Sequence, residues 1–286
     1  MNHIKLQAYG KINLSLDVLR QRPNGYHDVR MIMQTVKLHD NIDMERTDTP
    51  GIVLKTNLPF LPVNENNLMY RAAKMLMDEF SIEGGVKMHL RKVIPVAAGM
   101  AGGSADAAAV LYGMNRLFDL RLSLDELKKR GVQLGADIPF CLMRGTALSE
   151  GIGEILTPLP ALPACSIVLA KPAISVSTKA VYENLHVNTL PAEAHPDVDQ
   201  VIEALKARDV RAVAGRMGNI LETVTSRQHP EIDAIKERMM ALGALNAMMS
   251  GSGPTVFGLF DDPEKAQACY RALLSAKGKG IAKQVY

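Results

Sequence analysis

The sequence of 286 residues contains no tryptophan, and aromatic residues make up only 5% of it. Proteins that bind single-stranded nucleic acid commonly stack the bases on aromatic side chains, so few such platforms are expected. The formal net charge is only +3, from 33 basic and 30 acidic residues, and the basic residues are scattered rather than gathered in a stripe. The composition therefore disfavours a nucleic-acid-binding protein.

The sequence is also poor in cysteine, with Cys141, Cys165 and Cys269 lying far apart. An odd number of cysteines at these separations predicts neither a disulfide framework nor a metal site. We therefore expect small buried thiols and a reducing, cytoplasmic setting. Residues 1–16 lack the apolar run of a signal peptide, and no stretch of about 18 apolar residues occurs, so no membrane segment is expected.

Segments with strand alternation and segments with helical periodicity follow one another along the chain, which predicts an α+β fold. The predicted strands cover residues 3–20, 29–38, 41–46, 86–94, 138–149, 166–170, 245–249, 255–260 and 281–285. The predicted helices outside the segment discussed next cover residues 66–80, 178–185, 198–207, 210–223, 230–242 and 263–276. Ser123 and Glu126 form a capping box that begins a further helix, which should end near Gly135. Three prolines within residues 157–163 predict a boundary between domains 1–160 and 161–286.

The most informative segment is PVAAGMAGGSA at residues 95–105, which we call the glycine loop. Gly99, Gly102 and Gly103 permit backbone angles that other residues resist. From Ser104 onward, apolar residues at helical spacing predict a helix: Ala107, Leu111, Met114 and Phe118. A small-residue loop that leads into a helix presents unpaired N–H groups and a positive dipole end, which together favour phosphate. The glycines match neither the dinucleotide fingerprint nor a Walker loop, and on this segment alone an ordinary tight connection fits equally well.

Three segments stand in order along the chain: residues 8–16 (AYGKINLSL), the glycine loop, and residues 250–255 (SGSGPT). In that order and at these separations they resemble the GHMP small-molecule kinases, which include galactokinase, homoserine kinase and mevalonate kinase. Residues 22–27 (RPNGYH) and 135–140 (GADIPF) are similar to one branch of that family. The substrate of that branch is a cytidine-diphosphate-linked methylerythritol. The resemblance spans nearly the whole chain.

The resemblance implies two α+β domains, the N-terminal one like a ribosomal-protein domain and the C-terminal one a ferredoxin-like α/β sandwich. It implies an ATP-dependent kinase of the non-mevalonate isoprenoid pathway that phosphorylates a hydroxyl of the methylerythritol moiety, with Mg²⁺ as cofactor. The implied partners are ATP and a cytidine-diphosphate-linked polyol, without nucleic acid or membrane, in a monomer or a homodimer. The implied ATP-binding residues are Pro95, Val96, Ala97, Ala98, Gly99, Met100, Ala101, Gly102, Gly103, Ser104 and Ala105, with Asn67 at the adenine pocket.

Phosphoryl transfer requires positioning, charge neutralisation and an oriented nucleophile. By the resemblance, Asp137 is the general base that acts on the acceptor hydroxyl. Lys11 is the catalytic lysine that stabilises charge on the transferring phosphoryl group. On the residues alone, Asp137 would be a turn cap and Lys11 a surface lysine of a strand. Their separation in sequence does not bring them together.

The substrate-binding residues that the resemblance implies are Asn13, Tyr26, His27, Thr178, Tyr182, Gly251 and Ser252. Strand alternation places Asn13 on the same face as Lys11. Tyr26 would stack on cytosine while His27 reads its polar edge, and helical spacing puts Thr178 and Tyr182 on one face. On spacing alone, residues 24–27 would be an ordinary Asn-Gly turn and residues 250–253 a tight hairpin turn.

Many GHMP kinases carry paired serines where this chain has Gly102 and Gly103. Ser104 is therefore the candidate Mg²⁺ ligand, together with water. Asp106 is expected in the first helical turn, where it would point away from the phosphate or contact Mg²⁺ through water.

Three alternatives remain open. Another GHMP kinase, acting on mevalonate or homoserine, would not need the turn at residues 24–27, because those substrates carry no base. A nucleotide-binding regulator without catalysis would not need both Lys11 and Asp137. An RNA-binding protein is indicated only by the ribosomal-like domain, and the scattered charge and few aromatic residues disfavour it.

Overall fold

The computed structural model describes residues 1–275 and 281–286, a mixture of helices and strands. The strands are β1 (His3–Gln21), β2 (His27–Thr47), β3 (Gly51–Thr56), β4 (Gly85–Arg91), β5 (Thr146–Glu150), β6 (Ile155–Pro158), β7 (Ser166–Lys171), β8 (Gly218–Asn219), β9 (Asn246–Met249), β10 (Val256–Phe260) and β11 (Gln284–Val285). The α-helices are α1 (Leu68–Glu79), α2 (Gly102–Leu117), α3 (Leu124–Leu134), α4 (Ile138–Met143), α5 (Thr178–Glu183), α6 (Val198–Lys206), α7 (Val210–Arg216), α8 (Glu222–Gln228), α9 (Glu231–Ala241) and α10 (Pro263–Ser275). Short 3-10 turns cover Val187–Thr189 and Ala192–Ala194. Within the described ranges, no helix has both the length and the apolar character that crossing a membrane requires.

The chain divides into two compact units, each assembled from segments that are not contiguous in sequence. The first unit consists of Met1–Lys11, Thr35–Val96 and Ala101–Arg144. The second unit consists of Ile12–Gln34, Ala97–Met100 and Gly145–Tyr286. Strands β1 and β2 each contribute residues to both units. The boundary that the sequence analysis placed between a domain at residues 1–160 and a domain at residues 161–286 stays a prediction.

The core of the first unit lies between a sheet and its helices. Strand β4 pairs antiparallel with β2 and parallel with β3, and α1, α2, α3 and α4 pack against one another. Helix α2 contributes the apolar stripe predicted from its spacing, with Leu111 and Met114 fully buried and Phe118 packed against the core. Gly113 lets α2 approach the sheet, because a Cβ there would lie 2.4 Å from Met44 Sδ.

The predicted capping box of α3 is confirmed. The Ser123 hydroxyl accepts a hydrogen bond from the Glu126 amide at 3.3 Å, and the Glu126 carboxylate accepts one from the Ser123 amide at 2.8 Å. Two of the orphan N–H groups at this helix end are thereby satisfied. The helix ends at Leu134 with Gly135 as its C-cap, as the sequence predicts.

The second unit contains a four-stranded antiparallel sheet in the order β11-β7-β10-β9, on which α9 and α10 pack. This is the ferredoxin-like sandwich that the family resemblance implies. In the same unit, β5 pairs antiparallel with β2 and β6. The two-residue strand β8 pairs parallel with β1, where Ser15 lies opposite Gly218.

Four of the predicted segments are wrong in part. Residues 29–38 and 41–46 form the single strand β2. The predicted strand at 138–149 begins as the helix α4, whose early Pro139 fits a helix start because no N–H is needed there. The predicted helix at 210–223 is interrupted after Arg216, where β8 pairs with β1 before α8 begins. Strands β3 and β6 were not predicted, and the last residue of the predicted helix at 263–276 lies outside the described residues.

Candidate active site

The glycine loop reaches α2 through three residues in the left-handed region. Their φ angles are +50° at Ala97, +72° at Gly99 and +53° at Ala101. Gly102 and Gly103, which were predicted to supply unusual backbone angles in this loop, are instead the first residues of α2. Left-handed backbone at an alanine carries strain, which persists only where surrounding contacts enforce it.

The N-terminus of α2 is left open by its own sequence. Its N-cap residue, Ala101, has no side chain that could accept a hydrogen bond, and the first turn holds no acidic residue. The Ala105 amide donates to the Ala101 carbonyl at 2.8 Å, which closes the first turn. The amides of residues 102–104 therefore remain available to an anion, with the positive end of the helix dipole behind them.

Two glycines at this helix start serve different purposes. A Cβ on Gly102 would lie 2.9 Å from Lys92 Nζ and from Ile94 Cγ2, so packing beneath the helix requires a glycine. Around Gly103 the only atom within 4 Å of such a Cβ among the described residues is Leu68 Cδ1, at 3.8 Å. Gly103 thus leaves space on the exposed side of the turn.

A buried charge cluster lies under the start of α2. Lys92 Nζ donates to Asp40 Oδ2 and to Asp106 Oδ2, both at 2.6 Å. Asp40 Oδ1 also accepts the amides of Val93 at 2.5 Å and Ile94 at 2.8 Å, which holds the chain where it enters the glycine loop. Two carboxylates thus share one ammonium group.

Asp106 lies in the second turn of α2, not in the first turn as predicted, and its carboxylate belongs to this cluster. That it points away from a bound phosphate or contacts Mg²⁺ through water stays a prediction. Burial, together with the nearby charge of Asp40, raises the pKa of Asp106 to about 7, although the charge of Lys92 opposes the shift. Its Oδ1 atom is buried and has no hydrogen-bond partner within residues 1–275 and 281–286.

The charges of the two residues predicted to be catalytic, Lys11 and Asp137, both influence the pKa of Cys141, a half-buried cysteine of the first unit. Burial raises the pKa of Cys141, the negative charge of Asp137 raises it further, and the positive charge of Lys11 lowers it. Lys11 is 5% exposed, so it is not the surface lysine that strand position alone would indicate. Asp137 precedes α4, but its side chain makes no capping hydrogen bond to that helix in the described structure. Its carboxylate is therefore not used as a turn cap.

Ser104 lies in the same region. A Cβ on Gly135 would lie 3.9 Å from Ser104 Oγ, which places this hydroxyl beside the turn that carries Asp137. The described part of the chain holds no group of three or more histidine, cysteine, aspartate or glutamate side chains arranged to bind a metal. Mg²⁺ commonly keeps several waters and binds chiefly to substrate phosphates, so it does not require such a group. Ser104 as a ligand of Mg²⁺ stays a prediction.

Asn67 has a structural task in this fold. Its Oδ1 accepts the Met69 amide at 2.9 Å as the N-cap of α1, and its Nδ2 donates to the Pro62 carbonyl at 2.8 Å. The side chain thus joins the loop before α1 to the helix start. Its place at an adenine pocket stays a prediction.

The predicted cytidine turn is a tight hairpin in the second unit. The Arg22 amide donates to the Tyr26 carbonyl at 2.7 Å, and Gly25 has a φ of +84°. Tyr26 is 60% exposed, whereas His27 is buried. The ring of His27 lies against that of Tyr182 on α5, with centroids 5.0 Å apart and planes tilted by 41°. The aromatic rings that contact each other in the structure are therefore those of His27 and Tyr182, whereas Tyr26 faces solvent.

A second contact ties α5 to the turn at residues 250–253. Thr178 Oγ1 lies 2.7 Å from Ser252 Oγ, so the two hydroxyls share a hydrogen bond. Gly251 lies beside Asn13, because a Cβ on Gly251 would be 3.6 Å from Asn13 Oδ1. Asn13 is fully buried and donates to Met31 Sδ at 3.2 Å. Four of the predicted substrate residues are thereby linked in two pairs within one unit.

Sequence reasoning missed four polar residues that support these segments. Asp40 and Lys92 hold the entry to the glycine loop, and Asn219 and Glu222 contact the chain around residues 249–251. Each acts on a partner at least 27 residues away in sequence, so no local spacing marks it. Asn219 and Glu222 were hidden further, because the apolar pattern around them reads as the end of a continuous helix.

Two family models match the chain. The GHMP kinases N terminal domain matches residues 67–145, and the GHMP kinases C terminal domain matches residues 183–280. A solved homoserine kinase from Cytophaga hutchinsonii shares the fold, with a TM-score of 0.81 at 21% identity over 100% of this chain and 94% of that one. Together with the open helix start after the glycine loop, these matches define the class of protein, the GHMP kinases.

Relatives at higher identity narrow the class. A 4-diphosphocytidyl-2-C-methyl-D-erythritol kinase from Lachnospira eligens is 57% identical over 100% of this chain and 98% of its own length. One from Lachnoclostridium phytofermentans is 56% identical over 94% of this chain and 92% of its own length. A crystal structure of 4-(cytidine 5'-diphospho)-2C-methyl-D-erythritol kinase has a TM-score of 0.82 at 32% identity, covering 99% of this chain and 97% of that one. The chain belongs to the 4-diphosphocytidyl-2-C-methyl-D-erythritol kinase family.

The burial of His27 has a consequence for stability. Burial lowers the pKa of this imidazole from 6.5, so the unfolded chain takes up a proton at a higher pH than the folded one. The contribution of His27 to the free energy of unfolding should therefore be fully present above about pH 6.5. It should decrease as the pH falls from there toward the lowered pKa. His27→Gln should remove this part of the decrease in urea titrations at successive pH values.

The matched control is His89→Gln, because His89 is exposed on β4. This variant should keep the pH dependence of the wild type. If the His27→Gln protein loses stability at acid pH as steeply as the wild type does, burial of a neutral His27 is not the cause.

Proposed function

We propose that this protein transfers the γ-phosphate of ATP to a hydroxyl of the methylerythritol moiety of 4-diphosphocytidyl-2-C-methyl-D-erythritol, giving the 2-phosphate and ADP. The reaction belongs to the non-mevalonate isoprenoid pathway. The observation that carries the proposal is the full-length similarity, at up to 57% identity, to relatives that bear this enzyme's name. The open amides at the start of α2 support it independently, because a phosphate donor needs such a site.

ATP is bound by the glycine loop and the first turn of α2, residues 95–105. The amides of residues 102–104 donate hydrogen bonds to the phosphate oxygens. The open space beside Gly103 lets these oxygens approach the backbone closely. Mg²⁺, when bound, neutralises phosphate charge. Ser104 is the side chain that would help to hold it, next to water and the phosphates. Asn67 borders the adenine, while its cap on α1 keeps that helix start in place.

Asp137 accepts the proton of the acceptor hydroxyl as the phosphoryl group arrives. Its carboxylate is not engaged as a cap of α4, which supports this role. Lys11 stabilises the negative charge that spreads over the transferring phosphoryl group. The opposed influence of these two charges on Cys141 supports their working at one place.

The acceptor is bound through residues of the second unit. Tyr26, exposed on its turn, supplies a free aromatic face for the cytosine. His27 is neutral at pH 7, because burial lowers its pKa, so it can offer one donor and one acceptor to the base edge. Tyr182, whose ring lies against that of His27, forms the opposite wall of the cytidine pocket together with Thr178. Asn13, Gly251 and Ser252 complete the acceptor site and contact the polyol and its diphosphate.

The setting of the enzyme completes the proposal. The protein works in the cytoplasm as a monomer or a homodimer, with small molecules and not nucleic acid as its partners. Its three cysteines are free thiols, which supports a reducing compartment. An N-terminal ATP-binding domain at residues 1–160 precedes a C-terminal domain at residues 161–286.

The direct test is ADP release from ATP and Mg²⁺ with four acceptors offered separately: the cytidyl-methylerythritol compound, mevalonate, homoserine and galactose. Turnover with the cytidyl compound alone is the expected result. Turnover with another acceptor would keep the kinase and discard the cytidine site. Silence with all four, despite ATP binding, would leave a nucleotide-binding regulator.

Replacing Asp137 should separate chemistry from binding. Asp137→Asn keeps the shape of the side chain and removes the base, so kcat should fall by about 10²- to 10⁴-fold. ATP affinity, measured by calorimetry, should stay near that of the wild type. The control is Asp125→Asn, an exposed carboxylate in the first turn of α3, which should leave kcat unchanged. Near-normal kcat in Asp137→Asn would remove the general-base assignment.

Tyr26 offers a clean test of the cytosine stack, because its exposed ring can be removed with little loss of internal packing. Tyr26→Ala should weaken binding of the cytidyl acceptor by about 1–3 kcal/mol, the value of one base stacked on an aromatic ring. Tyr270→Ala, on α10 of the same unit, serves as the control. Unchanged acceptor affinity in Tyr26→Ala, measured by calorimetry without ATP, would eliminate the stacking role.

A further inference from the structure

The tip of the glycine loop is interlocked with the turn at residues 250–253. Ser250 Oγ donates to the Gly99 carbonyl at 2.9 Å, and Ser250 is fully buried. A Cβ on Gly99 would lie 2.1 Å from the Ser250 carbonyl oxygen, and one on Gly251 would lie 3.2 Å from the Gly99 carbonyl oxygen. The two glycines also have φ angles of +72° and +57°. The conformation of Gly99 therefore depends on where this turn is held.

One buried side chain, Asn219 of β8, holds the turn. Its Nδ2 donates to the Met249 carbonyl at 2.9 Å and to the Gly251 carbonyl at 2.8 Å. Its Oδ1 accepts the Leu221 amide at 3.0 Å. The side chain thus binds the carbonyl groups at both ends of residues 249–251, the stretch that contains Ser250. It also connects this stretch to the chain just before α8.

A carboxylate also holds this stretch. Glu222 Oε1 accepts the Met249 amide at 2.6 Å, and Glu222 Oε2 accepts from Lys236 Nζ at 2.6 Å. The amide and the carbonyl of Met249 are therefore held by two residues that lie three apart in sequence. Because these partners are mostly buried, their hydrogen bonds are worth more than exposed ones, and losing one leaves an unsatisfied polar group.

We propose that Asn219 is a positioning residue for phosphoryl transfer: it fixes the turn at residues 250–253, and through Ser250 it sets the backbone of the glycine-loop tip, residues 97–100. It acts on the loop and not on a ligand. The inference rests on the proposed function, because the glycine loop is the proposed phosphate site. A loop shifted by about 1 Å costs a phosphoryl-transfer enzyme roughly a hundredfold in rate.

The chemistry of the position requires an amide. The side chain must supply two N–H donors to two carbonyls and one acceptor to an N–H group, which asparagine does in a single planar group. Aspartate has the same shape but no donors, so Asn219→Asp would set a carboxylate oxygen against two carbonyl oxygens. The Asn219→Asp variant therefore removes the hydrogen bonds to the Met249 and Gly251 carbonyls while leaving the volume of the side chain unchanged.

The chain offers a matched control in Asn246, at the other end of β9. Its Nδ2 donates to the Ala214 carbonyl at 2.7 Å, and its Oδ1 accepts the Ala247 amide at 2.8 Å. Asn246→Asp therefore removes the same kind of hydrogen bond, from a side-chain amide to a backbone carbonyl, at the other end of β9 without touching the turn. Both full-length variants are compared with the wild type in steady-state kinetics and in hydrogen exchange of residues 97–101.

For Asn219→Asp we expect kcat/KM for ATP to fall about 10- to 100-fold, and exchange at residues 97–101 to accelerate at least tenfold. The KM for the cytidyl acceptor should change much less. Asn246→Asp should alter neither measurement. If instead both variants lose thermal stability alike and show unchanged KM for ATP and unchanged loop exchange, Asn219 is merely structural and the proposal is wrong.

Ser250→Ala decides the matter if Asn219→Asp does not fold. This variant removes only the hydroxyl that reaches Gly99, so it should reproduce the loss in kcat/KM for ATP and the faster exchange. Wild-type behaviour of Ser250→Ala would overturn the proposal. Failure of the proposed function looks different: the wild type then releases no ADP with the cytidyl acceptor, while the exchange of residues 97–101 still reports whether the turn holds the loop.

Discussion

The open N-terminus of α2 is the constraint on which the rest of the site depends. A helix without a side-chain cap forgoes about 1 kcal/mol of stability, and the left-handed residues before it add strain. Ala97 and Ala101 hold that conformation without the freedom of glycine. The fold must therefore stabilise the helix start elsewhere, which it does through apolar burial along α2 and through the backbone hydrogen bonds that Asp40 accepts where the chain enters the loop. Among the described residues, no side chain caps these amides, so the stability of the helix start comes from those other contacts.

The charge cluster of Asp40, Lys92 and Asp106 shows how that support is distributed. Lys92 lies directly under Gly102, yet its ammonium group is committed to two carboxylates. It is therefore a poor candidate for a phosphate ligand, despite its position. Breaking one of these buried ion pairs would leave an uncompensated charge in the interior, which is costly. The cluster therefore supports the helix start rigidly. Rigidity at this point suits the proposed phosphate-binding role of the glycine loop, which requires backbone donors held in fixed directions.

Whether a feature could be predicted from the sequence depends on how far apart along the chain its interacting residues lie. The capping box of Ser123 and Glu126 is local, and both its presence and the end of its helix at Gly135 could be predicted. The glycine loop could be located, but its left-handed residues could not, because Ala97 and Ala101 adopt angles that only tertiary contacts enforce. Helix α4 was mistaken for a strand because six residues with a proline carry no helical period. Asn219 was unpredictable because its partners lie 30 and 32 residues away.

The residues proposed for chemistry and those proposed for acceptor recognition are carried by different kinds of structure. Lys11 lies in a long strand and Asp137 at a helix start, both fixed by the core of the first unit. Tyr26 lies on an exposed hairpin turn, a part of the structure that tolerates change. A homoserine kinase with only 21% identity keeps the same fold at a TM-score of 0.81, so the scaffold does not specify the acceptor. We therefore expect specificity to reside in short segments such as the proposed cytidine turn. The support of the glycine loop, including the hydrogen bonds of Asn219, would then be the same whichever acceptor is bound.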